Sequence, residues 1–217
     1  MPHPEEARSA VSKDEWGARR VLQLMLSAVS DSENSGNGDA LAAVRAFASA
    51  IPRGSWFAAC GEALTEGERA DAAAYLAALG RPDIAIAGVA GWAEAAATTQ
   101  SPAWSRAWWD AETRAQAELQ RRAAARFGAE PVLAALTAVT EAADALNGAA
   151  ALAMSRAGIA DPALTRVAAG AAAQACHQTA LALSAAAGPD HLFAVKYRIF
   201  AAGRWPLGIV GDRFFVF

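Results

Sequence analysis

Residues that most often declare chemistry are scarce in this chain. Among 217 residues there are two cysteines and three histidines. Cys60 and Cys176 are too few for a disulfide framework, and neither has a second cysteine at metal-ligand spacing. A reducing, cytoplasmic setting is the simpler expectation. His177 and His191 are separated by Gly188-Pro189, no carboxylate stands at the spacing of bundle di-metal motifs, and no His-Glu-x-x-His pattern exists. No metal and no cofactor are therefore expected. Charge of one sign is also lacking: 19 basic against 22 acidic residues leave a net charge of −3. Such a balance gives no field to draw nucleic acid or an anionic membrane, so neither is expected as a partner. Strong apolar runs are missing as well. "VAAGAAAQACHQTALALSAAAG" is mostly weakly hydrophobic alanine interrupted by Gln174, His177 and Gln178, which argues against a membrane span. "MPHPEEARSAVSKDEW" contains no apolar core of a secretory signal, and none is expected.

What is abundant is alanine, the strongest helix former and one that buries little area per side chain. The predicted fold class is all-α: an alanine-rich antiparallel multi-helix bundle with a short C-terminal β-hairpin or extended arm. Residues 1–13 read as a disordered leader, and 14–217 as a single helical domain with a flexible loop over 30–38 and a C-terminal β element over 204–217. The leader "PHPEEARSAVSKD" resembles a peptide encoded by interspersed repeat DNA that is read into many unrelated bacterial open reading frames. That resemblance implies no activity and removes His3 from the site candidates.

From Trp16 to Val29 apolar residues recur near helical spacing, until "SDSENSGNGD" interrupts them. Asp39 is placed to cap a helix with Leu41, Val44, Phe47 and Ile51 on one side, stopped by Pro52 and Gly54. "SWFAACGEAL" reads as a short helix, and Thr65 with Glu68 forms a capping box for the helix that Gly80 closes. Asp83 through Trp92 reads as a buried helix despite Gly88 and Gly91. Three further helices are predicted from Ser101-Pro102 to Gly128, Glu130-Pro131 to Gly158 and Asp161-Pro162 to Gly188, on the preference for proline at the start and glycine past the end. "HLFAVKYRIFAAG" adds a short one. "RWPLGIV" and "RFFVF" then flank Gly211-Asp212, a hairpin turn signal.

The candidate sites are few. Gln174, His177, Leu181 and Ser184 share one helical side, either a polar groove or a helix interface. Cys176 beside His177 does not form a nucleophile–base pair, because adjacent helical residues point about 100° apart. Trp104 and Trp108 are expected to pack inward, with Trp109 pointing elsewhere. Lys196, Arg198, Arg204 and Trp205, with His191 nearby, form the best cationic and aromatic surface for a carboxylate, phosphate or acidic segment. His177, His191, Lys196, Arg198, Arg204 and Trp205 are therefore the predicted ligand- or partner-binding residues, and no residue is assigned a catalytic role. The expected function is a non-catalytic accessory or interaction protein presenting its aromatic and basic C-terminal region to a protein or anionic partner, and self-associating. The alternative is a binder of a small anionic ligand, or an enzyme, with a pocket between the bundle and the C-terminal segment. The two are to be told apart by whether the imidazoles and guanidiniums converge in one cavity. The tail aromatics are expected to be structural, and alanine at Arg198 or Arg204 to affect stability much less than tail loss.

Overall fold

The computed structural model describes residues 38–217. The expected leader, the helix over Trp16–Val29 and most of the loop after it lie outside the described residues. Gly38–Ala50 forms α1, whose Val44 and Phe47 are buried as their spacing predicts, and Ile51–Arg53 is a single 3-10 turn with Pro52 inside it and Ile51 buried. The segment after it is not the expected short helix. It turns irregularly, with Phe57 at φ 61, a left-handed conformation that a bulky residue rarely takes.

Thr65 and Glu68 form the capping box at the start of α2, Glu66–Ala78. The helix expected over Asp83–Trp92 is a correction. Ala85–Gly88 is strand β1, and helix α3 begins only at Trp92 and runs to Thr99. Branched Ile84, Ile86 and Val89 alternate with small residues there, and Gly88 and Gly91 weaken a helix further. A pattern with period two has prevailed over capping signals.

Helix α4, Arg106–Phe127, starts after Ser105 rather than at Pro102, because Ser101–Ser105 lies along the C-terminal hairpin. The long helix expected up to Gly158 is divided into α5, Ala129–Ala143, and α6, Ala145–Arg156. Helix α7, Pro162–Ser184, has Asp161 accepting from the Ala163 and Leu164 N–H groups, as the Asp-Pro signal implies. Helix α8 spans Leu192–Ala201, followed by strands β2, Pro206–Val210, and β3, Arg213–Val216.

The fold is mostly helical, but not all-α. The hairpin β2–β3 is antiparallel with its turn at Gly211-Asp212, and β1 joins β3 in parallel to give a mixed sheet of order β1-β3-β2. Gly208 sits at an irregularity in β2 with φ 119, where a Cβ would come within 2.5 Å of the Trp108 ring. Only glycine lets the hairpin lie so close to α4.

α7 is the central element: α1, α4, α5, α6 and α8 all pack against it, and Ala168, Ala172, Ala175 and Ala180 are fully buried. Small side chains there let neighbouring axes approach. The bulk comes from elsewhere. Trp205, Phe214 and Phe217 of the tail are among the largest fully buried side chains, so the C-terminal region is core.

Candidate functional site

The tail charges are drawn inward with the aromatics. Arg204 is 2% exposed and forks onto Glu68, Nε to Oε1 at 2.8 Å and Nη2 to Oε2 at 3.1 Å. Its remaining N–H groups donate to the carbonyls of Ala59, Glu62 and Ala63. One guanidinium thus gathers the irregular segment between α1 and α2. Burial pushes the Glu68 carboxyl up, but hydrogen bonds from Arg204 and Thr65 and the Arg204 charge outweigh it and hold the group below its ordinary value.

Lys196 is equally enclosed. Its Nζ lies 2.7 Å from both oxygens of Glu112 and 3.2 Å from Gln178 Oε1, and the Tyr75 hydroxyl donates to Glu112 Oε1 at 2.5 Å. Trp108 Nε1 in turn donates to that hydroxyl at 2.6 Å. Burial first, and then the Glu112 charge, raise the Tyr75 phenol well above its ordinary value, so it stays a neutral donor. Glu112 is 1% exposed. A substrate has no access to this network, whose chemistry is mutual satisfaction of buried polar groups.

The other predicted residues lie apart. Arg198 Nε donates to Asp71 at 2.9 Å and Nη1 to the Pro189 carbonyl at 2.9 Å. His177 Nε2 is 2.8 Å from Thr140 Oγ1, between α7 and α5. His191 is the N-cap of α8, its Nδ1 accepting from Phe193 N–H at 3.3 Å. Trp205 packs inside the core, edge to face with Phe57 and tilted against Trp92. The imidazoles and guanidiniums do not converge in one cavity, and the tail aromatics do not form a projecting patch. Trp108 is buried and Trp109 is 40% exposed, as expected, but Trp104 precedes α4 in a bridge to Val210 and is half-buried, so its edge-to-face contact with Trp108 at 5.1 Å does not come from helical spacing.

A cleft of about 670 Å³ includes none of the six predicted residues. One wall is the segment 54–61, which Arg204 holds at the Ala59 carbonyl, another is the start of α3, and the third is the outer side of α6. Trp56, Phe57, Trp92 and Phe217 supply aromatic surface, and Arg156 stands on α6. Phe217 meets Trp92 edge to face at 4.8 Å, so the last residue closes the floor. Trp56 Nε1 is already engaged by the Ile51 carbonyl at 2.7 Å, which leaves its ring as lining. Arg156 has no hydrogen-bond or ion-pair partner among the described residues. Cys60 also lines the cleft, but burial pushes its thiol up to about 12 against the lowering influence of Arg204, and its Sγ faces the Gly203 and Phe217 carbonyls. Burial likewise raises the Cys176 thiol. Both sulfurs are poor nucleophiles in these surroundings.

Gly203 fixes how this wall meets α8. It has φ 80, and a Cβ would stand 2.9 Å from the Ala59 nitrogen and 3.0 Å from the Ser55 oxygen. Sequence reading missed Trp56, Phe57, Trp92 and Arg156 as a set, because they come from three separated segments and share no spacing. Glu112 did leave a signal: it sits four residues after Trp108, a carboxylate on the buried side of α4.

Two histidines are expected to lower stability in acid. Burial lowers the His177 pKa, and burial with the Arg122 charge lowers that of His191. Each neutral ring is favoured by folding, so the associated stability is present above about 6.5 and is lost as pH falls through that value toward the folded pKa. Protonation of His191 at Nδ1 also removes the acceptor that caps α8. Replacement His191→Asn keeps a capping oxygen and removes the titration. Its melting temperature should match that of the parent at pH 7 and decline less between pH 7 and 5; parallel declines would exclude His191 as a source of acid sensitivity.

Compared with protein families, curated proteins and solved structures, the chain has no match.

Proposed function

We propose that this protein is a non-catalytic binding protein whose cleft between the 54–61 segment, α3 and α6 takes a small molecule with an apolar or aromatic body and one anionic group. The observation that carries the reading is the pairing, in one cleft, of aromatic walls with a guanidinium that has no partner among the described residues. Pockets of this size with few polar groups are the usual form of small-molecule sites. The non-catalytic part is supported by the chemistry of the buried ionisable groups. Lys196 and Arg204 are each neutralised by an internal carboxylate, and both thiols are held protonated.

A protein partner inserting a side chain in the same cleft is the second reading, favoured by Leu152, which lines the cleft and is 52% exposed. The same proposal places the protein in the cytoplasm. Its support is the pair of free cysteines and the fact that, among the described residues, no helix is long and apolar enough to cross a membrane. We also read α4, α5 and α7 as antiparallel neighbours, since the link from α4 to α5 is Gly128 alone and both pack on α7.

Anilinonaphthalene sulfonate, an aromatic body with one anionic group, is the probe. Its fluorescence should saturate with the native protein. Arg156→Ala should weaken binding about tenfold, the scale of a lost charge-assisted hydrogen bond. Ala153→Trp, which fills the cleft from α6, should abolish binding with the melting temperature retained. Unchanged binding in both variants would overturn the reading. Native mass spectrometry of freshly purified protein should also show a retained small mass that Ala153→Trp loses.

A further inference from the structure

β1 is an edge strand whose free side is unusually bare. The parallel register with β3 directs the main-chain groups of Ala85, Ala87 and Val89 inward, as in Ala85 N–H to Asp212 O at 3.4 Å and Val89 N–H to Val216 O at 3.0 Å. Alternation then turns the N–H and C=O of Ile86 and Gly88 outward. These four groups have no hydrogen-bond partner among the described residues. The groups just beyond are engaged: Ile84 N–H reaches the Arg81 carbonyl at 3.3 Å, and Ala90 N–H the Glu94 carboxylate at 2.9 Å. Ala85 and Gly88 are exposed, and Ile86 and Ala87 half-buried.

Proteins protect such edges with charge, proline, a bulge or shortness, and of these β1, at 4 residues, has only the last. The stretch "IAIAGVAG", residues 84–91, has no charged residue and no proline. Its regular pairing with β3 has no irregularity either. The hairpin's other edge is treated differently, since Ser101–Ser105 covers β2 through Ser105 N–H to Ile209 O and Gly211 N–H to Ala103 O. Only the β1 edge is left open among the three strands described.

We propose that the β1 edge is the seam of a homodimer, in which β1 pairs antiparallel with β1 of a second copy about a two-fold axis at Ala87. The register follows from the free groups. Setting Ala87 opposite its symmetry mate puts Ile86 opposite Gly88 of the other copy, and Gly88 opposite its Ile86. Each is a hydrogen-bonded pair exchanging two bonds, so four bonds form and every outward group of Ile86 and Gly88 in both copies is satisfied. Ala87 meets Ala87 at the non-hydrogen-bonded position, where Cα atoms approach to about 4.5 Å and a small side chain fits. The arrangement is isologous, as a two-fold interface must be. It joins the two mixed sheets in the order β2-β3-β1-β1-β3-β2. This seam is distinct from the cleft and does not depend on what the cleft holds.

Sedimentation velocity on the full chain from low- to high-micromolar concentration tests the proposal. The parent should pass from monomer to dimer. Ala87→Lys sets two like charges opposite each other at this half-buried position, while its own N–H still serves β3, and should weaken self-association about tenfold or more. Ile86→Pro deletes two of the four bonds at a position whose N–H faces away from β3, which an edge strand tolerates, and should act in the same direction. Hydrogen exchange keeps the test independent of either variant's folding: the Ile86 and Gly88 amides of the parent should slow as concentration rises. A parent that is monomeric throughout, or a dimer whose Ile86 and Gly88 amides exchange equally fast at all concentrations, would overturn the proposal. So would protection of these amides only on adding an extended peptide of another protein, which would assign the edge to that partner.

Discussion

A chain ended after Gly203 is expected to lose its cooperative thermal transition altogether. The residues removed include Trp205, Phe214 and Phe217, each no more than 1% exposed. Loss of one buried large aromatic typically costs about 3–5 kcal/mol, and three such losses match or exceed the total stability, about 5–15 kcal/mol, of an ordinary domain. The backbone suffers as well. β3 is the middle strand of the sheet, and Trp205 and Phe217 exchange two main-chain bonds, at 2.6 and 2.9 Å, that hold the end of the tail against its beginning. β1 would be left with no neighbour, Phe57 would lose Trp205, and Trp92 would lose both Trp205 and Phe217. Phe214→Ala alone, which opens a cavity against Tyr75, should lower the unfolding free energy by about 3–5 kcal/mol and remain measurable in urea. A truncated chain with the melting temperature of the parent would mean that the tail is not part of the core.

That the tail is core was legible from composition, because an alanine-rich set of helices has few other sources of bulk. Helix ends were legible where a cap or proline acts locally, as at Thr65 and Asp161. The strand β1 was not. Its preference for β structure is weak on its own and is realised because β3, more than a hundred residues later, offers a partner. The division between α5 and α6 at Asp144 likewise has no proline or glycine to announce it. Charge was read least well. Lys196, Arg198 and Arg204 alternate with aromatic residues in a way that resembles a displayed surface, and their carboxylates lie on α2 and α4, invisible to any local pattern. Glu68 reads in the sequence only as a capping-box residue; it is also the ion-pair partner of Arg204, in the link between α8 and β2. Distant partners decide whether a cation is a site or a strut.

Arg204→Ala is the substitution with the largest expected cost among the charged residues, contrary to the modest effect its sequence context predicts. It leaves the Glu68 carboxylate, 5% exposed, without its counter-charge, and the Ala59, Glu62 and Ala63 carbonyls without their donors. Breaking a buried pair by removing one member costs about 3–5 kcal/mol. Arg204→Lys keeps the charge but not the planar fork, so it should recover only part of the loss. The double variant Arg204→Met with Glu68→Leu removes both charges and should be more stable than Arg204→Ala, while the three carbonyls stay unbound and the 54–61 wall loosens. Anilinonaphthalene sulfonate binding should therefore remain weak in a double variant whose fold is restored. The pH dependence separates the ion pair from mere packing. Glu68 is held below its ordinary pKa, so its share of stability is present above about 4.5 and is lost as pH falls through the folded value. Without Arg204 that pKa rises, and the variant loses less on acidification than the parent does. Urea unfolding at pH 7 and at progressively lower pH should show the gap between parent and Arg204→Ala narrowing; a gap of constant size would show that the guanidinium acts by filling space rather than by its charge.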